Sequence, residues 1–160
     1  LPKKGNTKLD LSEEAETMLV LIIAAVSGIA MAVQGSLNTA LSKKVGVLFG
    51  TFIVQFTGTI FTIILLLFKL GSIKWQVLPQ VPWYNYLGGI IGVGIVYGVI
   101  TSIDRVGVAA ATTAIIVGQV SMAALVDHFG WFGLEAVPFN IWKGVGIVLL
   151  AASAWLLLHK

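Results

Sequence analysis

The sequence predicts an all-α, polytopic membrane protein with five transmembrane helices, and three observations carry that prediction. Hydrophobic residues make up 58% of the 160-residue chain and charged residues only 11%, against roughly 25% charged in a soluble domain. The mean hydropathy is +0.97, which makes lipid the solvent for most of the surface. The charges are also unevenly placed: Lys3, Lys4, Lys8, Asp10, Glu13, Glu14 and Glu16 all fall in the first 17 residues. The rest of the chain is therefore poorer still in charge.

Each apolar run is bounded by charge, proline or glycine, and about 20 residues suffice to cross the hydrocarbon. The first run, Met18 to Leu41, stops at Ser42-Lys43-Lys44, and the second, Val47 to Phe68, stops at Lys69. The third enters after Pro79 and Pro82, since proline at a helix start loses no needed N–H, and spans 83–103 before Asp104-Arg105. The fourth, Val108 to Val126, carries no charge and closes at Asp127-His128. The fifth, Ile141 to Leu158, follows Pro138 and Asn140, a suitable N-cap, and ends at His159-Lys160. Short connections make neighbouring helices antiparallel. Trp75, Trp83, Tyr84, Tyr86, Trp131, Phe132 and Trp142 collect at the breaks, as headgroup anchors do. Trp131 and Trp142 are also placed for stacking or cation binding. The organisation expected is a polar tail over 1–17 and a five-helix domain over 18–160 (18–41, 47–68, 83–103, 108–126, 141–158).

The tail has two readings. It is tag or linker sequence ahead of a natural start at Met18, because the composition changes abruptly there. Alternatively it is a cytoplasmic extension in which Asp10 or Ser12 caps a helix entering the membrane.

Several function classes are excluded. Without cysteine there is no disulfide, thiolate metal site or thiol nucleophile. The net charge of +3 does not indicate nucleic acid, because the bases stand at the ends of apolar runs, where they meet headgroups. The sequence lacks Ser-His-Asp spacing, a metal-ligand cluster and a phosphate-binding glycine loop, so no enzyme, cofactor or metal is expected. No ionisable residue lies in mid-span, and the buried carboxylate of a simple proton antiporter is missing.

Five spans put the chain ends on opposite sides of the membrane. Lys43, Lys44, Arg105 and Lys160 then face Lys69, Lys74 and Lys143, with the tail omitted, which is almost no positive-inside bias. Two readings follow. The chain inserts in both orientations, and opposed copies form an antiparallel homodimer of ten helices, the inverted-repeat arrangement of many transporters. Or the balance is an accident of small numbers, and a native tail with Lys3, Lys4 and Lys8 sets the N-terminus inside.

Helices in lipid associate through small residues and interhelical hydrogen bonds. Among eighteen glycines, Gly88, Gly92, Gly94 and Gly98 are expected to form a packing face on the third helix. The polar residues fall in stripes: Ser27, Gln34 and Asn38 on the first helix; Thr51, Gln55, Thr59 and Thr62 on the second. Tyr97, Thr101 and Asp104 align on the third, and Thr112, Gln119 and, less closely, Ser121 on the fourth. Gln34, Asn38, Gln55 and Gln119 either line a shared polar cavity as substrate-binding residues or cross-link helices, at roughly 0.6–2 kcal/mol per bond. Asp104 and Arg105 read as an interfacial pair. Asp127 and His128 read as a proton-sensitive gate, because histidine changes charge near neutral pH.

From Met18 to Lys160 the chain resembles the small five-span YdcZ-like proteins of the drug/metabolite transporter superfamily, also called bacterial/archaeal transporter family-2. The residues that carry the resemblance are Ala32-Val33-Gln34-Gly35-Ser36-Leu37-Asn38, Pro82-Trp83-Tyr84 with Leu87-Gly88-Gly89, Gly118-Gln119, and Asp127-His128-Phe129-Gly130 leading to Phe132-Gly133. The resemblance implies a transporter-type fold equal to half of a ten-helix member, a bacterial or archaeal inner membrane, and action as a dimer, often with opposed orientation. Gln34, Asn38, Gln119, Asp127 and His128 fall on family motifs, but no settled role comes with them. The function expected is alternating-access transport of a small polar or amphiphilic metabolite or drug by an antiparallel homodimer in contact with membrane lipid. The alternatives are a non-transporting scaffold or accessory subunit and a passive channel.

Overall fold

The computed structural model describes residues 7–159. Five α-helices follow one another along the chain: α1 (Thr7–Val45), α2 (Val47–Leu67), α3 (Gly88–Val106), α4 (Val108–Phe129) and α5 (Ile141–Leu158). Short 3-10 turns at Trp75–Gln80, Trp83–Leu87 and Trp131–Gly133 join them, and no strand occurs among the described residues. The helices α1 to α4 are each long and apolar enough to cross a membrane. The 18 residues of α5 rise about 27 Å, at the short end of the spanning range. Residues 1–6, with Lys3 and Lys4, and Lys160 lie outside the described residues. Helix α1 is already under way at Asp10 and Ser12, the two positions read as N-caps, so neither caps it.

The described chain falls into two units, one ending at Gln34 and one beginning at Gly35. In the first, every residue from Glu14 to Met31 is exposed. Its helix is apolar all round beyond Met18, the pattern of a segment surrounded by lipid.

The second unit is organised by two one-residue turns with the same sequence. Val45-Gly46-Val47 joins α1 to α2, and Val106-Gly107-Val108 joins α3 to α4. Gly46 has φ 87° and ψ 150°, and Gly107 has φ 86° and ψ 166°, a region open only to a residue without Cβ. The Gly46 N–H donates to the Ser42 carbonyl at 2.8 Å, and the Gly46 carbonyl accepts from Gly50 at 2.9 Å. Gly107 repeats this with Ile103 at 3.0 Å and Ala111 at 3.1 Å. One glycine thus closes one helix and opens the next with its own polar groups satisfied. Lys43, Lys44 and Arg105 stand in the last turns, where cations complement the helix dipole.

The Lys43 ammonium lies 3.0 Å from the Asp104 carboxylate, so both turns sit on one side of the membrane. Asp104 therefore pairs across hairpins, and not with Arg105 as its neighbour in sequence suggested. Both side chains are about half exposed, which limits the pair to roughly 0–1 kcal/mol. Packing does more. Gly35, Asn38, Thr39 and Ser42 form the buried face of the end of α1. A Cβ on Gly35 would stand 2.8 Å from Ile103 Cδ1 and 3.1 Å from Val99 Cγ1, and one on Gly50 would collide with Ser42 Oγ. An added Cβ at either position would force these side chains to shift. Helix α3 also packs on α2 and α4, and α4 on α5. Ile100 and Ile103 apart, the buried residues are small or polar, with Ile100 and Thr51 the most enclosed, while most large apolar side chains point outward. That inversion suits a hydrocarbon solvent.

The packing role expected of the third-helix glycines is not exercised within the protomer at Gly88, Gly94 and Gly98, where an added Cβ would meet nothing within 4 Å. Gly92 alone has a neighbour, the Gln55 amide, at 3.5 Å from such a Cβ.

Gly46→Ala and Gly107→Ala should each lower stability by about 1–3 kcal/mol. Gly146→Ala, inside α5 with open space around it, should be neutral or stabilising by up to about 1 kcal/mol. Thermal unfolding in detergent checks all three.

Candidate functional site

Hydroxyls and amides behave differently in these helices. Thr39, Thr51, Thr59 and Thr62 each donate to the carbonyl four residues back, at 2.8–2.9 Å. Ser27, Thr101, Thr113 and Ser121 do the same at 2.7–2.9 Å. A short hydroxyl can reach that carbonyl from its own helix and so escapes the cost of being unpaired in hydrocarbon, roughly 2 kcal/mol or more. A longer amide carries two donors as well as an acceptor, and one carbonyl of its own helix cannot satisfy them all. Among the described residues, the side chains of Gln34, Asn38, Gln55 and Gln119 make no hydrogen bond to the protein.

Three of these amides share a depth. The Lys43–Asp104 pair holds the two glycine turns level. From Gly46 the rise is about 12 Å to Asn38 and about 14 Å to Gln55, and from Gly107 about 18 Å to Gln119. With the basic ends of α1 and α3 at the interface, these positions fall near the middle of a core about 30 Å thick. Asn38 is 8% exposed and lies on the buried face that packs against α2 and α3. Gln55 is half-buried, with its amide against Gly92 of α3. Gln119 is exposed on α4, outside that seam. Gln34 is exposed and ends the first unit.

The end of α4 is arranged differently. Asp127 and His128 do not bond to each other; both hold the connection to α5. The Asp127 carbonyl accepts from the Val137 N–H at 2.7 Å, and His128 Nδ1 accepts from the Phe139 N–H at 3.2 Å. The buried Lys143 ammonium of α5 approaches the Asp127 carboxylate at 3.7 Å, an ion pair too long to be a hydrogen bond. Asn140 caps α5 by accepting from the Lys143 N–H at 2.9 Å. Gly130 makes the fold-back possible: it ends α4 in the left-handed region at φ 59°, and a Cβ there would stand 3.0 Å from the Leu134 carbonyl oxygen. Rings of His128, Phe129, Trp131, Phe132 and Tyr84 continue from the clasp and tie it to the turn before α3. Lys143 and the Val-Gly-Val turns were missed as functional elements. The repeated pattern of two charged residues before Val-Gly-Val was the available signal for the turns.

Residues 19–156 match the protein family described as "Putative inner membrane exporter, YdcZ". The "Inner membrane protein YdcZ" of Escherichia coli (strain K12) is 24% identical over 146 residues, which cover 89% of this chain and 96% of that protein. No solved structure matches the chain.

His128→Ala should remove the acceptor for the Phe139 N–H, so that hydrogen exchange at the Phe139 amide quickens and about 0.5–1.5 kcal/mol of stability is lost. His128→Asn, whose Oδ1 can accept in place of Nδ1, should keep the protection.

Proposed function

This chain belongs to the YdcZ family of inner-membrane exporters, and on that premise we propose that it moves a small polar or amphiphilic metabolite or drug by alternating access. It is a multi-pass inner-membrane protein. The observation that supports the finer reading is the set of amides left without protein hydrogen bonds on helices that lie in lipid. An unpaired amide in hydrocarbon is costly, and a substrate or cavity water that supplies the missing bonds removes that cost. Asn38, Gln55 and Gln119 form the recognition set, and Gln34, in the first unit, is a separate candidate for hydrogen bonding to cargo. Because they are uncharged, they select cargo by hydrogen bonding and not by ion pairing. Transport requires no bond to be made or broken in the cargo, so the role is not enzymatic.

The working unit is an antiparallel homodimer. The open glycine faces at Gly88, Gly94 and Gly98 suit close approach by a second copy, and opposed copies give the inverted symmetry around which a central site can rock. Asp127, His128 and Lys143 form the gate at the aromatic end, where loss of the His128 bond frees the turn before α5.

Two measurements test this. In proteoliposomes offered labelled amino acids, polyols and quaternary ammonium drugs, saturable uptake with counterflow is expected for at least one class. Asn38→Leu and Gln119→Leu should each reduce it at least about tenfold with assembly unchanged. Full activity in both variants would contradict the site, non-saturating flux would indicate a channel, and no flux for any class a scaffold. Because the chain has no native cysteine, single cysteines at 44 and 159 report orientation directly. Labelling of each from both faces of oriented vesicles is expected, and labelling from one face alone would contradict dual topology.

A further inference from the structure

The two hairpins differ in how their bases are used. Lys43 is neutralised by Asp104 at 3.0 Å, whereas Arg105 makes no ion pair among the described residues. Instead it lines a cavity of about 470 Å³ between α3 and α4, together with Ser102, Val106, Ala110, Ala114 and Ile115. Unlike most hydroxyls in these helices, Ser102 does not donate to the carbonyl four residues back, nor to any other group among the described residues. The cavity follows from the sequence. Alanines at 110, 111 and 114 leave a furrow beside α3, and the one-residue turn at Gly107 holds the two helices together at its mouth.

The chemistry is graded along the furrow. Arg105 stands at the mouth, next to the turn and the membrane interface. From Gly107 to Ile115 the helix rises about 12 Å, so the apolar walls reach well into the hydrocarbon. A guanidinium offers parallel donors that suit a phosphate better than any neutral headgroup. A cationic mouth over an apolar furrow matches an anion attached to an acyl chain, and basic pockets between transmembrane helices take such headgroups.

We propose that the α3–α4 furrow binds an anionic phospholipid of the surrounding membrane, with the phosphate on Arg105, the Ser102 hydroxyl beside it, and one acyl chain along Val106, Ala110, Ala114 and Ile115. This site is separate from the mid-membrane amides and does not depend on their role. Its occupant fills the furrow and supplies the counter-charge that Arg105 lacks.

The test is native mass spectrometry and thermal unfolding of the full chain in detergent, with phosphatidylglycerol, phosphatidylcholine or glycerol 3-phosphate as probes. Phosphatidylglycerol should be retained and should stabilise, phosphatidylcholine much less, and glycerol 3-phosphate not at all. Arg105→Gln should weaken phosphatidylglycerol binding about tenfold, and Arg105→Lys by less. Ala114→Phe, which fills the furrow, should also weaken it without changing the oligomeric state. Equal binding of the two lipids, or no effect of Arg105→Gln, would overturn the proposal. Glycerol 3-phosphate acting as strongly as phosphatidylglycerol would make this a free-anion site. A changed oligomeric state in Ala114→Phe with unchanged lipid binding would make the furrow a contact between copies. Either result overturns the lipid assignment.

Discussion

Every polar group that enters the hydrocarbon must find its hydrogen bonds within the protein, in a bound molecule or in trapped water. The backbone meets this requirement by being helical almost throughout and by turning twice on single glycines that close one helix and open the next. Most of the hydroxyls meet it by bonding to their own helix, with Ser42 and Ser102 among the exceptions. The amides do not, and that difference marks Asn38, Gln55 and Gln119 out from the many polar residues on the same faces.

The two ends of the second unit have contrasting construction. At one end the Val-Gly-Val turns are short, stiff and basic, tied by Lys43 and Asp104 and more firmly by the close approach of Gly35 to Ile103 and Val99. At the other end the connections are longer and aromatic, and the α4–α5 link is held by a few polar contacts from Asp127, His128 and Lys143. An alternating mechanism needs one side that holds its shape and one that can yield. The tight hairpins suit the first role, and the clasp suits the second, because its side-chain contacts are one imidazole acceptor and one long ion pair beside a single backbone bond from Val137 to Asp127.

Composition made the fold class legible, because so few charges on so apolar a chain leave no other solvent. The amides were legible for the same reason: a polar residue in a span carries its cost on its face. What was not legible depended on which helix face meets which neighbour. Gly88, Gly94 and Gly98 read as packing glycines from their spacing, yet within the protomer the close approaches occur at Gly35, Gly50 and Gly130, of which Gly50 alone has a glycine four residues away. Adjacency in sequence paired Asp104 with Arg105, whereas the hairpin geometry pairs it with Lys43. Gly46 and Gly107 lay inside or beside apolar runs, where a glycine reads as packing. Only the positive φ reveals them as the points on which the chain reverses.

The central claim is that the mid-membrane amides face a polar cavity and not lipid. Water-edited solid-state NMR of side-chain amide protons in bilayers tests it most directly. Rapid magnetisation transfer from water to Asn38, Gln55 and Gln119 is the predicted result, while the large apolar side chains of α2 and α4 receive it slowly. Amides as dry as those neighbours would contradict a transport cavity at this depth.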